Sequence, residues 1–105
     1  MISVIVPTYN NAEVLSKSLM TWVRQTMSVT NYEVLVVDNN SKDNTADVIK
    51  DFAVQYSNIH YLLETKPGAT HARHAGAKAS KGDILVFADD DGLYDDTSLV
   101  AIQDA

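Results

Sequence analysis

The sequence predicts an α/β fold, three layers deep, with a mostly parallel sheet flanked by helices. Four short apolar runs predict it, at residues 2–6, 33–37, 59–63 and 83–88. Segments of helical period separate them. Most of the runs are rich in Val, Ile and Leu with little polar alternation, the pattern of strands buried on both faces. The resulting order βαβαβαβα implies parallel strands joined by right-handed crossovers.

The first helix is expected over residues 12–27, where Leu15, Leu19, Trp22 and Val23 share one face. Asn10 stands at its start as a cap, with Glu13 three residues on, as in a capping box. The second is expected over residues 45–56, with Val48, Ile49, Phe52 and Tyr56 on one face. The third covers residues 69–80 and is alanine-rich, at Ala69, Ala72, Ala75 and Ala79. Small side chains there let a helix lie close to a sheet. Gly82 reads as its C-terminal cap. A fourth helix opens near residues 95–97.

The bulk numbers bound the function. The 105 residues suffice for one domain with a core, so residues 1–105 are read as a single unit. A hydrophobic fraction of 46% and a charged fraction of 21% are those of an ordinary globular fold. The 14 acidic and 8 basic residues leave a net charge of −6, which argues against a nucleic-acid partner. The absence of cysteine excludes disulfides and thiolate catalysis. The opening apolar run is too short for a signal peptide, and no stretch approaches the ~20 residues of a membrane span. The expectation is a cytoplasmic protein, with any membrane attachment supplied by regions outside these residues.

In open α/β sheets, ligands bind beyond the carboxyl ends of the strands. The polar segments that follow each strand are therefore the informative ones: residues 7–10, 38–41, 64–68 and 89–91. The Asp89-Asp90-Asp91 triplet is the strongest of them. Three adjacent carboxylates repel one another at a strand end. A hard divalent cation, Mn²⁺ or Mg²⁺, would relieve that repulsion through oxygen ligands. The competing reading is an acidic loop that leads into the next helix.

Asp38 can accept hydrogen bonds from a base or a ribose, or can close an Asx-turn through Asp-Asn-Asn-Ser. Tyr9 can stack on a base, or pack on the first helix. Arg73 has the planar fork that suits a diphosphate, or is a solvated surface arginine. His71 and His74 share a helical face but lack a third ligand for zinc. Lys78 and Lys81 read as a solvated face.

Five pieces together resemble the family 2 glycosyltransferases, whose fold is GT-A, a Rossmann-like nucleotide-binding architecture. They run in order from Ser3-Val4-Ile5-Val6-Pro7-Thr8-Tyr9-Asn10 through Val36-Val37-Asp38-Asn39-Asn40-Ser41 with Asp43-Asn44-Thr45. Gly68-Ala69 with Ala72-Arg73 come next, then residues 77–82, and last Val86-Phe87-Ala88-Asp89-Asp90-Asp91. The resemblance implies that Pro7, Thr8 and Tyr9 line the base and that Asp38 hydrogen-bonds it, typically as uracil. It implies Arg73 near the ribose or diphosphate. The triplet matches the family's Asp-x-Asp metal motif, with Asp91 as the direct ligand. Asp89 fits the motif's other position, and Asp89 or Asp90 falls at the ribose or at a metal-bound water. His74 and Gly92 depart from the family pattern, where Asn and Asp are frequent.

What the resemblance implies for function is sugar transfer with inversion from a nucleoside-diphosphate sugar, UDP-linked, to an acceptor the residues do not identify. The family's catalytic domain is roughly twice this long, so the chain reads as its donor half. The catalytic base and the acceptor pocket are expected beyond residue 105. Uncovered sheet edges in such a half predict association of copies. A dehydrogenase is excluded because no Gly-x-Gly-x-x-Gly follows the first strand. A receiver domain would place its acidic pair there instead. A nucleotidyltransferase would want a glycine- and lysine-rich loop at the same place. The alternatives kept are a nucleotide-binding or assembly module without catalysis, or a nucleotidyltransferase.

Overall fold

The computed structural model describes all residues from Met1 to Ala105. The element order is β1 (Ile2–Thr8), α1 (Ala12–Val23), β2 (Tyr32–Asp38), α2 (Thr45–Gln55), β3 (Ile59–Leu63), α3 (Ala69–Ala79), β4 (Ile84–Phe87) and α4 (Ser98–Gln103). One sheet holds all four strands in the order β3-β2-β1-β4, and each pairing is parallel. The fold is the α/β architecture expected from the alternation.

Burial follows from position in the sheet. β1 and β2 are central, and Val4, Ile5, Val6, Val34, Val36 and Val37 are fully enclosed. Strand pleating sends alternate residues to opposite faces. Ile2, Val4, Val6, Tyr32, Val34 and Val36 meet Leu15, Leu19 and Trp22 of α1, Ile49 of α2 and Leu99 of α4. Ile5, Leu35 and Val37 meet Ala72, with Ala75 and Ala77 packed alongside. Thus α1, α2 and α4 cover one face, and α3 covers the other.

The small residues of α3 permit a close approach. Gly76 lies so near β1 that a Cβ there would collide with the Ile5 side chain. This is the packing the alanine pattern anticipates.

Two buried polar residues at the amino ends of the strands satisfy each other. Ser3 donates its hydroxyl to Glu33 Oε2 at 2.6 Å, and the Lys81 amide donates to the same oxygen at 2.7 Å. Gly82 N–H in turn donates to Ser3 Oγ at 2.8 Å. Gly82 therefore anchors the start of β4 on β1. It does not cap α3, whose C-cap position is held by Ser80 in an extended conformation.

Other local expectations also give way. Asn10 does not cap α1: its φ is 47°, and its side-chain oxygen accepts from Lys42 N–H at 2.7 Å. Asn11 holds the cap position without a side-chain bond, so the Asn10–Glu13 capping box does not form. α1 ends at Val23, because Met27 and Gln25 turn inward on the path to β2. The outer strands are not buried on both faces. On β4, Leu85 and Phe87 are 40% and 51% exposed, since α3 sits over β1 and β2 and leaves this edge bare. α4 starts at Ser98, after a turn at residues 96–97. No helix is long and apolar enough to cross a membrane.

Candidate functional site

The strand order sets the site. From β1 the chain moves outward through β2 to β3, then crosses back by α3 to β4 on the opposite flank of β1. β1 and β4 therefore adjoin at the point where the winding reverses, and a crevice opens beyond their carboxyl ends.

Two connected hollows occupy this end of the sheet. The smaller, of about 310 Å³, is lined by residues that include Pro7, Thr8, Tyr9, Asn11 and Asp90. The larger, of about 590 Å³, is lined by Asn40, Lys42, Thr65, Pro67 and Gly68. Tyr9, Asn39 and Ala69 belong to both, so the hollows form one two-lobed cleft.

Thr8 closes β1 and is only 3% exposed. Its hydroxyl donates to Asp90 Oδ2 at 2.8 Å, directly across the β1–β4 junction. Tyr9 follows, 54% exposed, at the divide between the lobes. The residue lines both lobes and is within reach of a ligand in either.

Asp38 closes β2 and is 2% exposed. Its Oδ1 accepts from Ser41 N–H at 2.9 Å, three residues on, so it closes the Asp-Asn-Asn-Ser turn one residue further along than an Asx-turn would. Its Oδ2 accepts from the Tyr61 hydroxyl at 2.9 Å. Burial, together with the hydrogen bond and charge of Asp38, pushes the Tyr61 hydroxyl up to about 12. Asp38 thus lies beneath the cleft rather than on its wall.

Asp89 and Asp91 are exposed, and Asp90 is half-buried. No three His, Asp or Glu side chains converge on a common point. The donor set is all carboxylate oxygen, which suits a hard cation that completes its shell with water and substrate phosphates. Tyr94 backs the loop: its hydroxyl accepts from Asp89 N–H at 3.2 Å, and its ring stacks on Trp22 with centroids 4.4 Å apart. This explains Gly92, since a Cβ there would run into the Tyr94 ring.

Arg73 is exposed on α3 and forms no ion pair. It lines neither lobe. His71 and His74 lie elsewhere, in a separate hollow of about 470 Å³ with Lys66 and Lys78. Sequence reasoning flagged the loops but missed Asn39, Lys42 and Asn11 as individual wall residues. The only signal for them was their place after the strands.

The glycosyl transferase family 2 model matches residues 3–104. The chain belongs to that family. Among curated relatives it is 43% identical over 91 residues to glycosyltransferase AglE of Haloferax volcanii, covering 86% of this chain and 30% of the relative. It is 35% identical over 100 residues to the poly(ribitol-phosphate) beta-N-acetylglucosaminyltransferase TarP of Staphylococcus aureus, covering 93% and 30%. This family 2 chain therefore spans less than a third of the length of the curated relatives it matches.

Solved structures agree on the GT-A fold. The S. aureus TarS 1–349 structure in complex with UDP superposes with a TM-score of 0.91 at 27% identity, covering 98% of this chain and 31% of that one. The mannosyltransferase PcManGT of Pyrobaculum calidifontis, in complex with GDP-Man and Mn²⁺, gives 0.80 at 32% identity, covering 89% and 28%.

Proposed function

We propose that this chain is the donor-binding part of an inverting glycosyltransferase that uses a UDP-linked sugar and a divalent cation. The observation that carries the reading is the two-lobed cleft at the β1–β4 junction, with Tyr9 shared by both lobes and Asp90 of the acidic loop in the wall of the smaller one. The structural relatives crystallised with UDP, with UDP-GlcNAc and with GDP-Man and Mn²⁺ support a nucleotide-sugar donor.

In this reading the base enters the larger lobe and stacks on Tyr9. A carboxylate has about four lone-pair sites, and Ser41 and Tyr61 use two of those on Asp38. The remainder would accept from a base N–H. Pro7 and Thr8 line the base alongside Tyr9, and the diphosphate runs on toward the acidic loop. Arg73, with no carboxylate partner, swings its guanidinium to that diphosphate, where a bidentate fork is strongest. Asp91, with Asp89, would hold Mn²⁺ or Mg²⁺, and Asp90 or Asp89 would reach the ribose. The cation supplies Lewis-acid neutralisation of the leaving diphosphate. The base that deprotonates the acceptor hydroxyl, and the acceptor pocket itself, belong to parts of the whole enzyme beyond residue 105.

The test is calorimetric titration of UDP with and without Mn²⁺, on the wild type and on Asp91→Ala. Mn²⁺-dependent binding that the substitution abolishes is expected. Equal UDP binding by both proteins, indifferent to Mn²⁺, would remove the acidic loop from the site.

A further inference from the structure

The Asn39 side chain makes three hydrogen bonds, and all of them go to one loop. Its Nδ2 donates to Glu64 O at 2.9 Å and to Lys66 O at 2.8 Å, and its Oδ1 accepts from Gly68 N–H at 2.9 Å. Thr65, Pro67 and Gly68 of that loop form one wall of the larger lobe. Apart from Asn39, the loop's backbone is tied only at its ends: Glu64 N–H donates to Asp38 O, and Gly68 O accepts from Ala72 N–H in α3. Pro67 has no N–H to contribute. Gly68, at φ 120°, begins α3 without a side-chain cap. The position of the wall between those ends therefore rests on one amide.

The chemistry of the three bonds fixes the residue type. Two carbonyls require two donors and one amide N–H requires an acceptor, all from a single short side chain. A carboxamide meets this demand in only one orientation. Aspartate keeps the acceptor, loses both donors and sets a negative charge against two carbonyl oxygens.

We propose that Asn39 is a positioning residue for nucleotide specificity. It holds the Thr65–Gly68 wall against Tyr9 at the width of a base, without acting on the phosphates. This rests on the nucleotide reading above, and on the base occupying the larger lobe. Serving both lobes, Asn39 sets the register of one against the other. Its bonds, however, go only to the base-side wall.

The experiment compares UDP with pyrophosphate, each titrated with Mn²⁺ into the wild type, Asn39→Asp and Asn39→Ala. Ser3→Ala, at the opposite end of the strands, is the control for general destabilisation. The expected result is a UDP Kd raised about tenfold or more in both Asn39 variants, while the pyrophosphate Kd stays within about twofold, the split a base-side contact gives. Amide exchange at Gly68 accelerates in Asn39→Ala, which loses the acceptor, read by NMR. Ser3→Ala lowers the Tm and changes neither Kd. Parallel weakening of UDP and pyrophosphate would reduce Asn39 to a general structural role and overturn the proposal, as would an unchanged UDP Kd. A wild type that binds pyrophosphate and not UDP overturns the base-lobe assignment, and the positioning role falls with it. A wild type that binds neither ligand overturns the nucleotide reading itself.

Discussion

Thr8 and Asp90 join the two strands that flank the reversal of the sheet: the hydroxyl at the end of β1 donates to the carboxylate two residues past Ala88 at 2.8 Å. The bond fixes one member of the acidic triplet and leaves Asp89 and Asp91 exposed for other partners. A hydroxyl–carboxylate bond is charge-assisted, worth about 1.5–3 kcal/mol where solvent is excluded. Asp90 is half-buried, so water recovers part of that. Thr8→Val should therefore lower stability by about 1 kcal/mol in urea unfolding. In a double-mutant cycle with Asp90→Ala, the coupling should be of similar size, about 1 kcal/mol. Strictly additive losses would show that the contact contributes nothing.

Tyr9 offers a prediction in which binding and stability separate. The residue is 54% exposed, so truncation leaves the fold within about 0.5 kcal/mol of wild type. Base stacking on an aromatic is worth about 1–3 kcal/mol, or roughly 5- to 150-fold in Kd. Tyr9→Ala should weaken UDP by that range in calorimetry, and Tyr9→Phe should keep the affinity. Equal affinity in Tyr9→Ala would place the base away from the ring.

How much of this was legible in the sequence depends on the reach of each signal. The strands and helices were visible because their patterns are local. Val34-Leu35-Val36-Val37 is apolar on both faces, and it becomes a central strand. The sheet order was not legible, so β4 was expected to be enclosed like β1. Its Leu85 and Phe87 stand exposed because α3 covers β1 and β2, and no local pattern tells such an edge from a centre. Asn10 looked like a cap because caps are identified by residue type. The chain instead turns there with positive φ, and the Asn10 side chain serves Lys42, 32 residues away. Asn39 escaped notice for the same reason: its partners lie 25 to 29 residues on, in a loop with no residue type that announces them. The acidic triplet and Tyr9 were legible because charge and aromaticity at a strand end conflict with simple packing.

Tyr61 links the fold to pH. Its hydroxyl donates to Asp38 beneath the cleft, and Lys50 Nζ lies 4.9 Å above its ring. Its folded value of about 12 lies above the ordinary 10, first from burial and then from Asp38. A raised value means the fold favours the protonated phenol. That contribution is complete below about pH 10, the unfolded value, and is lost as pH rises toward about 12. Alkaline unfolding should steepen across this window, and Tyr61→Phe should flatten it. In Asp38→Asn the carboxylate charge is gone, so phenolate absorbance should show the Tyr61 step moving down toward the ordinary range. An unmoved step would separate the two residues.

Gly92 ties the acidic loop to the core through Tyr94. A Cβ at Gly92 would strike the Tyr94 hydroxyl and ring. The ring has little room to retreat, because it stacks on Trp22, which is 1% exposed. The loop must move instead, and Asp91 moves with it. Overpacking of this kind costs about 1–3 kcal/mol, and Gly92→Ala should lose that much in urea unfolding. Mn²⁺-dependent UDP binding should weaken as well, since the displaced residue is the proposed cation ligand. In a Tyr94→Leu background the same substitution meets a smaller, flexible side chain and should cost less than in the wild type. An equal cost in both backgrounds would mean that the clash lies with the loop's own backbone and that Tyr94 does not set the position of Asp91.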